Sequence, residues 1–85
     1  MQQFRLYQNT PNPFVDETQI GFSLPNTSDV TITINDVTGK TLKVIRGEFA
    51  KGYNTVNVSD LPAGVMYYTI ESGEFTATKK MINID

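Results

Sequence analysis

The side chains available for chemistry are carboxylates, tyrosines, hydroxyls and lysines, because the 85 residues include no histidine and no cysteine. Histidine is the usual general base near neutral pH and the commonest metal ligand. Cysteine is the strongest ready-made nucleophile. Without them the common nucleophilic triads and zinc sites have no members, and no cofactor is expected. Carboxylate chemistry remains. Asp16 and Glu17 are adjacent, and Asp36 and Asp60 each open a turn. Paired carboxylates do acid–base work when their surroundings push their pKa values apart. Adjacent residues of a strand point to opposite faces, however, and turn aspartates usually bond their own backbone. A structural role is therefore expected for all four. No EF-hand spacing supports a calcium loop. Tyr53, Tyr67 and Tyr68 would make a platform for a sugar ring if they shared a face. The bland alternative is half-buried rings with hydroxyls at the rim. The glycines are isolated turn residues, so no phosphate loop exists. Asn26-Thr27-Ser28 and Asn57-Val58-Ser59 match the glycosylation acceptor pattern, which arises often by chance.

Chain length limits what could position such groups. A chain this short is one domain and hides only roughly 60% of the surface it exposes when unfolded. A deep catalytic cleft would compete with that thin core for the same apolar residues, so no enzyme is expected. With no disulfide to staple it, the fold must hold by packing alone or by being joined to something larger. The net charge is −2, and the largest basic cluster is Lys79-Lys80. That pair is too small to track phosphates, so no nucleic-acid partner is expected. No apolar run approaches the ~20 residues of a membrane span. The stretch Met1-Gln2-Gln3-Phe4-Arg5 has no signal-peptide pattern. We expect residues 1–85 to be one domain of a longer protein whose export signal, if it has one, lies elsewhere.

The elements read as strands. Ile20, Phe22 and Leu24 alternate with Gln19, Gly21 and Ser23 over Thr18–Leu24. Val30, Ile32 and Ile34 alternate with Thr31, Thr33 and Asn35. Alternation of period two places one set on each face of a sheet. Leu42–Ile45, Asn54–Val58, Val65–Glu71 and Phe75–Ile84 supply four more strands, with a short one at Phe4–Gln8. Turn residues separate them every ~10 residues, a spacing that suits a sandwich of about seven antiparallel strands. Val65–Ile70 is apolar or aromatic at both parities, which predicts a central strand covered on both faces. In the last strand Phe75 and Ala77 share one parity, and Ile82 and Ile84 the other. One inserted residue reverses every later side chain, so a β-bulge is predicted near Lys79-Lys80.

The most distinctive stretch is Tyr7-Gln8-Asn9-Thr10-Pro11-Asn12-Pro13-Phe14. Prolines at alternate positions fix φ near −65° and restrict the residues before them. A stiff, extended segment unable to complete a ladder is expected, with Phe14 plugging the base of the sandwich. This stretch resembles the opening motif of the type A C-terminal sorting domains of the type IX (Por) secretion system of Bacteroidetes. Ile20-Gly21-Phe22-Ser23-Leu24-Pro25 is similar to the second-strand motif. Val30–Asn35 followed by Asp36-Val37-Thr38-Gly39-Lys40 resembles its hydrophobic strand and Asp-x-x-Gly-basic turn. Leu61-Pro62-Ala63-Gly64-Val65-Met66-Tyr67 resembles its Leu-x-x-Gly-x-Tyr element, with Met66 where the family more often has tyrosine. Phe75–Met81 resembles the terminal motif with its lysine. The resemblance spans residues 7 to 84. A similar sandwich occurs in the flagellar hook-capping family and in accessory domains of surface glycosidases, but the Pro-Asn-Pro-Phe opening and the Lys-Lys ending favour the sorting domain.

The resemblance implies an immunoglobulin-like β-sandwich, in agreement with the strand pattern. It implies a non-catalytic domain at the C-terminus of a cargo protein. The cargo would reach the periplasm by its own N-terminal signal, pass the outer-membrane translocon, be cut from the domain by a cell-surface sortase, and end on the outer-membrane surface or outside the cell. Candidate recognition residues are Asn12, Pro13, Phe14, Asp36, Gly39, Lys40, Gly64, Lys79 and Lys80. Edge-to-edge pairing of the last strand with another copy or a partner is a further expectation. The remaining alternative is a carbohydrate-binding or structural accessory sandwich of a secreted surface enzyme.

Overall fold

The computed structural model describes residues 3–85. Among them are seven strands and no helix: β1 (Arg5–Leu6), β2 (Thr18–Leu24), β3 (Ser28–Asp36), β4 (Thr41–Phe49), β5 (Gly52–Val58), β6 (Gly64–Ser72) and β7 (Phe75–Asn83). A three-stranded sheet in the order β1-β2-β5 faces a four-stranded sheet in the order β4-β3-β6-β7. Every strand pair is antiparallel. This is the expected immunoglobulin-like sandwich, with β4 longer and β1 shorter than the sequence pattern indicates.

Period two builds the core. Ile20, Phe22 and Leu24 of β2 face Val30, Ile32 and Ile34 of β3, joined by Met66, Tyr68 and Ile70 of β6 and Met81 of β7. The intervening threonines line the outer face, where a branched Cβ suits the pleat. Thr33, Thr69 and Thr78 stand side by side across β3, β6 and β7, and the last two share a 2.8 Å hydroxyl hydrogen bond.

Two expectations fail. First, β7 has no bulge: its ladder with β6 runs unbroken from Gly64↔Asn83 to Ser72↔Phe75. The inward set begun by Phe75 and Ala77 continues through Lys79, Met81 and Asn83, with Met81 fully buried and Asn83 nearly so. Asn83 tolerates the interior because its amide donates to Leu61 O and Pro62 O at 3.1 and 3.2 Å. Ile82 and Ile84 belong to the outer parity, and Ile84 is 64% exposed. The bulge lies between β3 and β4 instead. Ile34 pairs with Lys43 and Asn35 with Thr41, leaving Leu42 as the extra residue. Second, β6 is central as expected but covered on one face only. Tyr68 is buried while Tyr67 is 41% exposed on the outer surface.

Candidate functional site

The opening segment, Tyr7–Phe14, crosses from one sheet to the other. At its start Thr10 pairs with Gln19 of β2, and at its end Phe14 pairs in parallel with Asn83 of β7. Between them the backbone bends through Pro11, Asn12 and Pro13 rather than running extended. Both X–Pro bonds there are cis. Phe14 is buried, as the sequence predicts. Its N–H donates to Ile82 O at 2.9 Å, and its carbonyl accepts from Ile84 N–H at 3.0 Å. The Asn12 Oδ1 accepts from Ile82 N–H at 3.0 Å, and Gln8 Nε2 donates to Lys80 O at 2.7 Å. A segment that cannot supply a regular ladder thus closes the outer edge of β7 with its side chains and one residue of backbone. The last part of β7 is therefore not the open edge the sequence suggested.

The segment is held from below by a buried polar knot. The Tyr68 hydroxyl donates to Tyr7 O at 2.7 Å and accepts from Asn9 N–H at 2.9 Å. Burial pushes this phenol up to about 12. The Asn9 amide donates to Pro11 O and to Thr18 Oγ1, each at 3.1 Å, and its Oδ1 accepts from Gln8 Nε2. Thr18 in turn donates to Pro11 O at 2.8 Å. Buried polar groups are costly unless satisfied; here each one secures the backbone of a proline-broken segment. Sequence reasoning missed Asn9, Thr18, Tyr68 and Asn83. Asn9 was visible only as a letter of the motif, and Tyr68 stood in an aromatic run whose inward parity was not separated from its outward one.

Strand register places the remaining candidates. Asp36 lies beside Met66, Gly64 beside Asn83, and Asn83 beside Phe14. The opening segment, the Asp36–Lys40 turn and the β5–β6 loop therefore share one end of the sandwich. Lys43 ties β4 to that loop, its Nζ donating to Ser59 O at 2.6 Å. In the turn Asp36 Oδ1 accepts from Thr38 Oγ1, Thr38 N–H and Lys40 N–H at 2.6, 2.9 and 3.0 Å. The Thr38 hydroxyl above all holds this carboxyl below its ordinary range. Gly39 has φ +91° and Gly64 φ +119°, backbone conformations that disfavour any Cβ. Pro13, Gly39, Lys40 and Gly64 are exposed there. Phe14 offers no ring surface, and Asn12 is engaged at β7. Lys79 and Lys80 sit mid-strand, opposite Tyr68 and Tyr67. Lys80 is exposed and Lys79 half-buried on the opposite parity.

The opposite end carries the start of β1. Phe4 stacks on Phe75 with ring centroids 4.6 Å apart, next to the β6–β7 turn. Phe4 and the β6–β7 turn thus lie at one end, and the Pro11–Pro13 bend, the Asp36–Lys40 turn and Gly64 at the other.

Other candidate chemistry is dispersed. Tyr53 lies on the outer face of the three-stranded sheet, 66% exposed, its ring over Gly21, where any Cβ would meet it. Tyr67 lies on the outer face of the other sheet and Tyr68 inside, so the three tyrosines share no platform. Asp16 does not work with Glu17. A hydrogen bond and charge repulsion from Asp85 raise its pKa. No group of three or more metal-ligating side chains occurs among the described residues.

Fold and site together define an immunoglobulin-like β-sandwich whose buried polar groups fasten its own ends. A family model described as the secretion system C-terminal sorting domain matches residues 9–84. The chain belongs to that family, the C-terminal sorting domains of type IX secretion. Membership makes it a sorting signal for export to the cell surface or the extracellular space, in a family that is non-catalytic in general. No curated protein sequence matches the chain. A solved β-glucosidase from Listeria innocua aligns with 99% of it at a TM-score of 0.47 and 10% identity, and the chain spans 16% of that protein's length.

Proposed function

We propose that this domain is a preformed docking signal, carried at the C-terminal side of a cargo protein and read by the type IX translocon at the end built from the opening segment, the Asp36–Lys40 turn and the β5–β6 loop. The domain catalyses nothing. The cargo arrives in the periplasm by a separate signal, crosses the outer membrane, and a sortase then cuts in the linker, which must lie before Phe4 because Arg5–Leu6 is strand β1. The observation that carries this reading is the gathering of the opening segment, the Asp36–Lys40 turn and Gly64 at the end away from Phe4, where cargo would join. That arrangement leaves the docking end free of the cargo.

The test fuses residues 1–85 to a periplasmic reporter in a Bacteroidetes host. The reporter should appear outside the cell, shortened at the junction. Retention in the periplasm while resident cargo exits would sink the proposal. To locate the docking end, Lys40→Glu and Ala63→Glu, at exposed positions, are compared with Glu74→Lys at the opposite end. The first two should reduce export several-fold with folding intact, and the third should not.

A further inference from the structure

The two sides of the sandwich finish differently. On one side the opening segment takes the outward backbone groups of β7 at Lys80, Ile82 and Ile84. On the other side β4 and β5 are the edges of their sheets, with no strand beyond them among the described residues. The core is thin there. Leu42, Ile45 and Phe49 of β4 and Val56 of β5 are only partly buried, and Val44 is 41% exposed. A long edge with apolar flanks is a template for another strand.

We propose that β4 is a self-complementary edge that pairs antiparallel with β4 of a second copy of this chain. The register follows from the backbone. Asp36 N–H donates to Lys40 O, so the even-numbered residues of β3 turn their backbone groups toward β4. Their partners Lys43, Ile45 and Gly47 are thereby committed to β3. Val44, Arg46 and Glu48 direct N–H and C=O outward, and an antiparallel partner must match these with its own outward set. A two-fold axis at Gly47 sets Arg46 of each copy opposite Glu48 of the other. It also sets Val44 opposite Ala50, and Ile45 opposite Phe49 on the inner face. An axis at Arg46 would oppose the two arginines, and one at Ile45 would set Arg46 against Val44. Only the Gly47 register places unlike charges across the seam, and cross-strand charges of one sign are destabilising. Gly47 leaves the axis clear of side chains. Lys43 would face Lys51, but Lys51 lies past the end of β4, and the Lys43 ammonium is turned back to Ser59 O. Pairing merges the two four-stranded sheets into one continuous sheet and covers Ile45 and Phe49.

Sedimentation velocity of the 85-residue chain over a concentration series at low salt tests this. The chain should pass from monomer to dimer as concentration rises. Arg46→Glu should raise the dissociation constant at least about tenfold, because both cross-strand pairs turn from attraction to repulsion. Glu48→Arg should do the same, and the double variant R46E/E48R should restore association. Val44→Pro removes an outward N–H, a change that edge strands accept. It should give a monomer with unchanged far-ultraviolet circular dichroism. A chain that stays monomeric at every concentration overturns the proposal. So does a dimer that ignores R46E and V44P, since it would run through another surface or an exchanged strand. Failure of R46E/E48R to restore association overturns the register.

Discussion

Tyr68 keeps a hydroxyl in the interior and uses both of its hydrogen-bonding capacities on backbone 59 and 61 positions earlier. Tyr68→Phe keeps the ring but strands Tyr7 C=O and Asn9 N–H. Leaving buried groups unpaired costs about 1–3 kcal/mol, so the variant should melt at least ~4 °C lower in a domain of this size. Its pH response should change too. The folded phenol titrates at about 12 against an ordinary 10.0. A raised pKa means that the stabilisation is complete below the unfolded value and is lost as pH rises through the folded one. Urea midpoints between pH 10 and 12 should therefore fall more steeply for the native chain than for Y68F; parallel slopes would show that Tyr68 does not titrate this way. Asp36 works in the opposite direction. Its lowered pKa contributes stability above the ordinary 3.8, and that contribution disappears as pH falls through the folded value. Asp36→Asn should flatten the acid limb of the stability profile. A native-like acid limb in D36N would refute the role assigned to the turn carboxylate.

At the scale of the element, the opening segment and β7 are one unit. Phe14 is buried to 1% exposure, and Phe14→Ala should cost about 3–5 kcal/mol, enough to unfold much of the population of a marginal domain. Calorimetry showing a loss under ~1 kcal/mol would mean that the ring is not a plug. The same unit complicates one obvious export test. Truncation from Lys79 removes Met81 together with Asn83, the bridge partner of Phe14. It should therefore abolish the native fold by circular dichroism, and loss of export in that variant reports unfolding as much as a missing signal. Most elements were legible because alternation over β2 and β3 is strict and each turn carries its own chemistry. The phase of β7 was not legible. Periodicity ranks Ile82 and Ile84 above Asn83 for burial, and only the carbonyls of Leu61 and Pro62, brought in by the fold, make Asn83 the inward residue. The opening segment was legible as unable to complete a ladder and as ending in a plug. Its bridging of two sheets was not, because no local pattern names partners about 70 positions away.

On the scale of the whole molecule, the sandwich is 37 Å in its longest dimension, with Phe4 toward one end and the Asp36–Lys40 turn at the other. A compact folded tag appended after Asp85 should block export of a fused reporter, whereas the same tag placed before Phe4 should pass. Equal export of the two fusions would remove the basis for assigning recognition to one end. Which of the candidate recognition residues lie near one another depends on register, which a sequence does not print. Asp36, Gly64 and Asn83 become neighbours only once β3, β6 and β7 are aligned. The bond between Asn12 and Ile82 N–H, 70 positions apart, carries a consequence for the order of events during synthesis. Translation supplies residues one after another, and domains nearer the N-terminus can fold first. This sandwich cannot close its second sheet or shield Phe14 until Asn83 has emerged. Until that moment the chain has no completed core to resist threading. A sandwich whose opening segment is fastened to its last strand thus completes its fold only after that strand has been made.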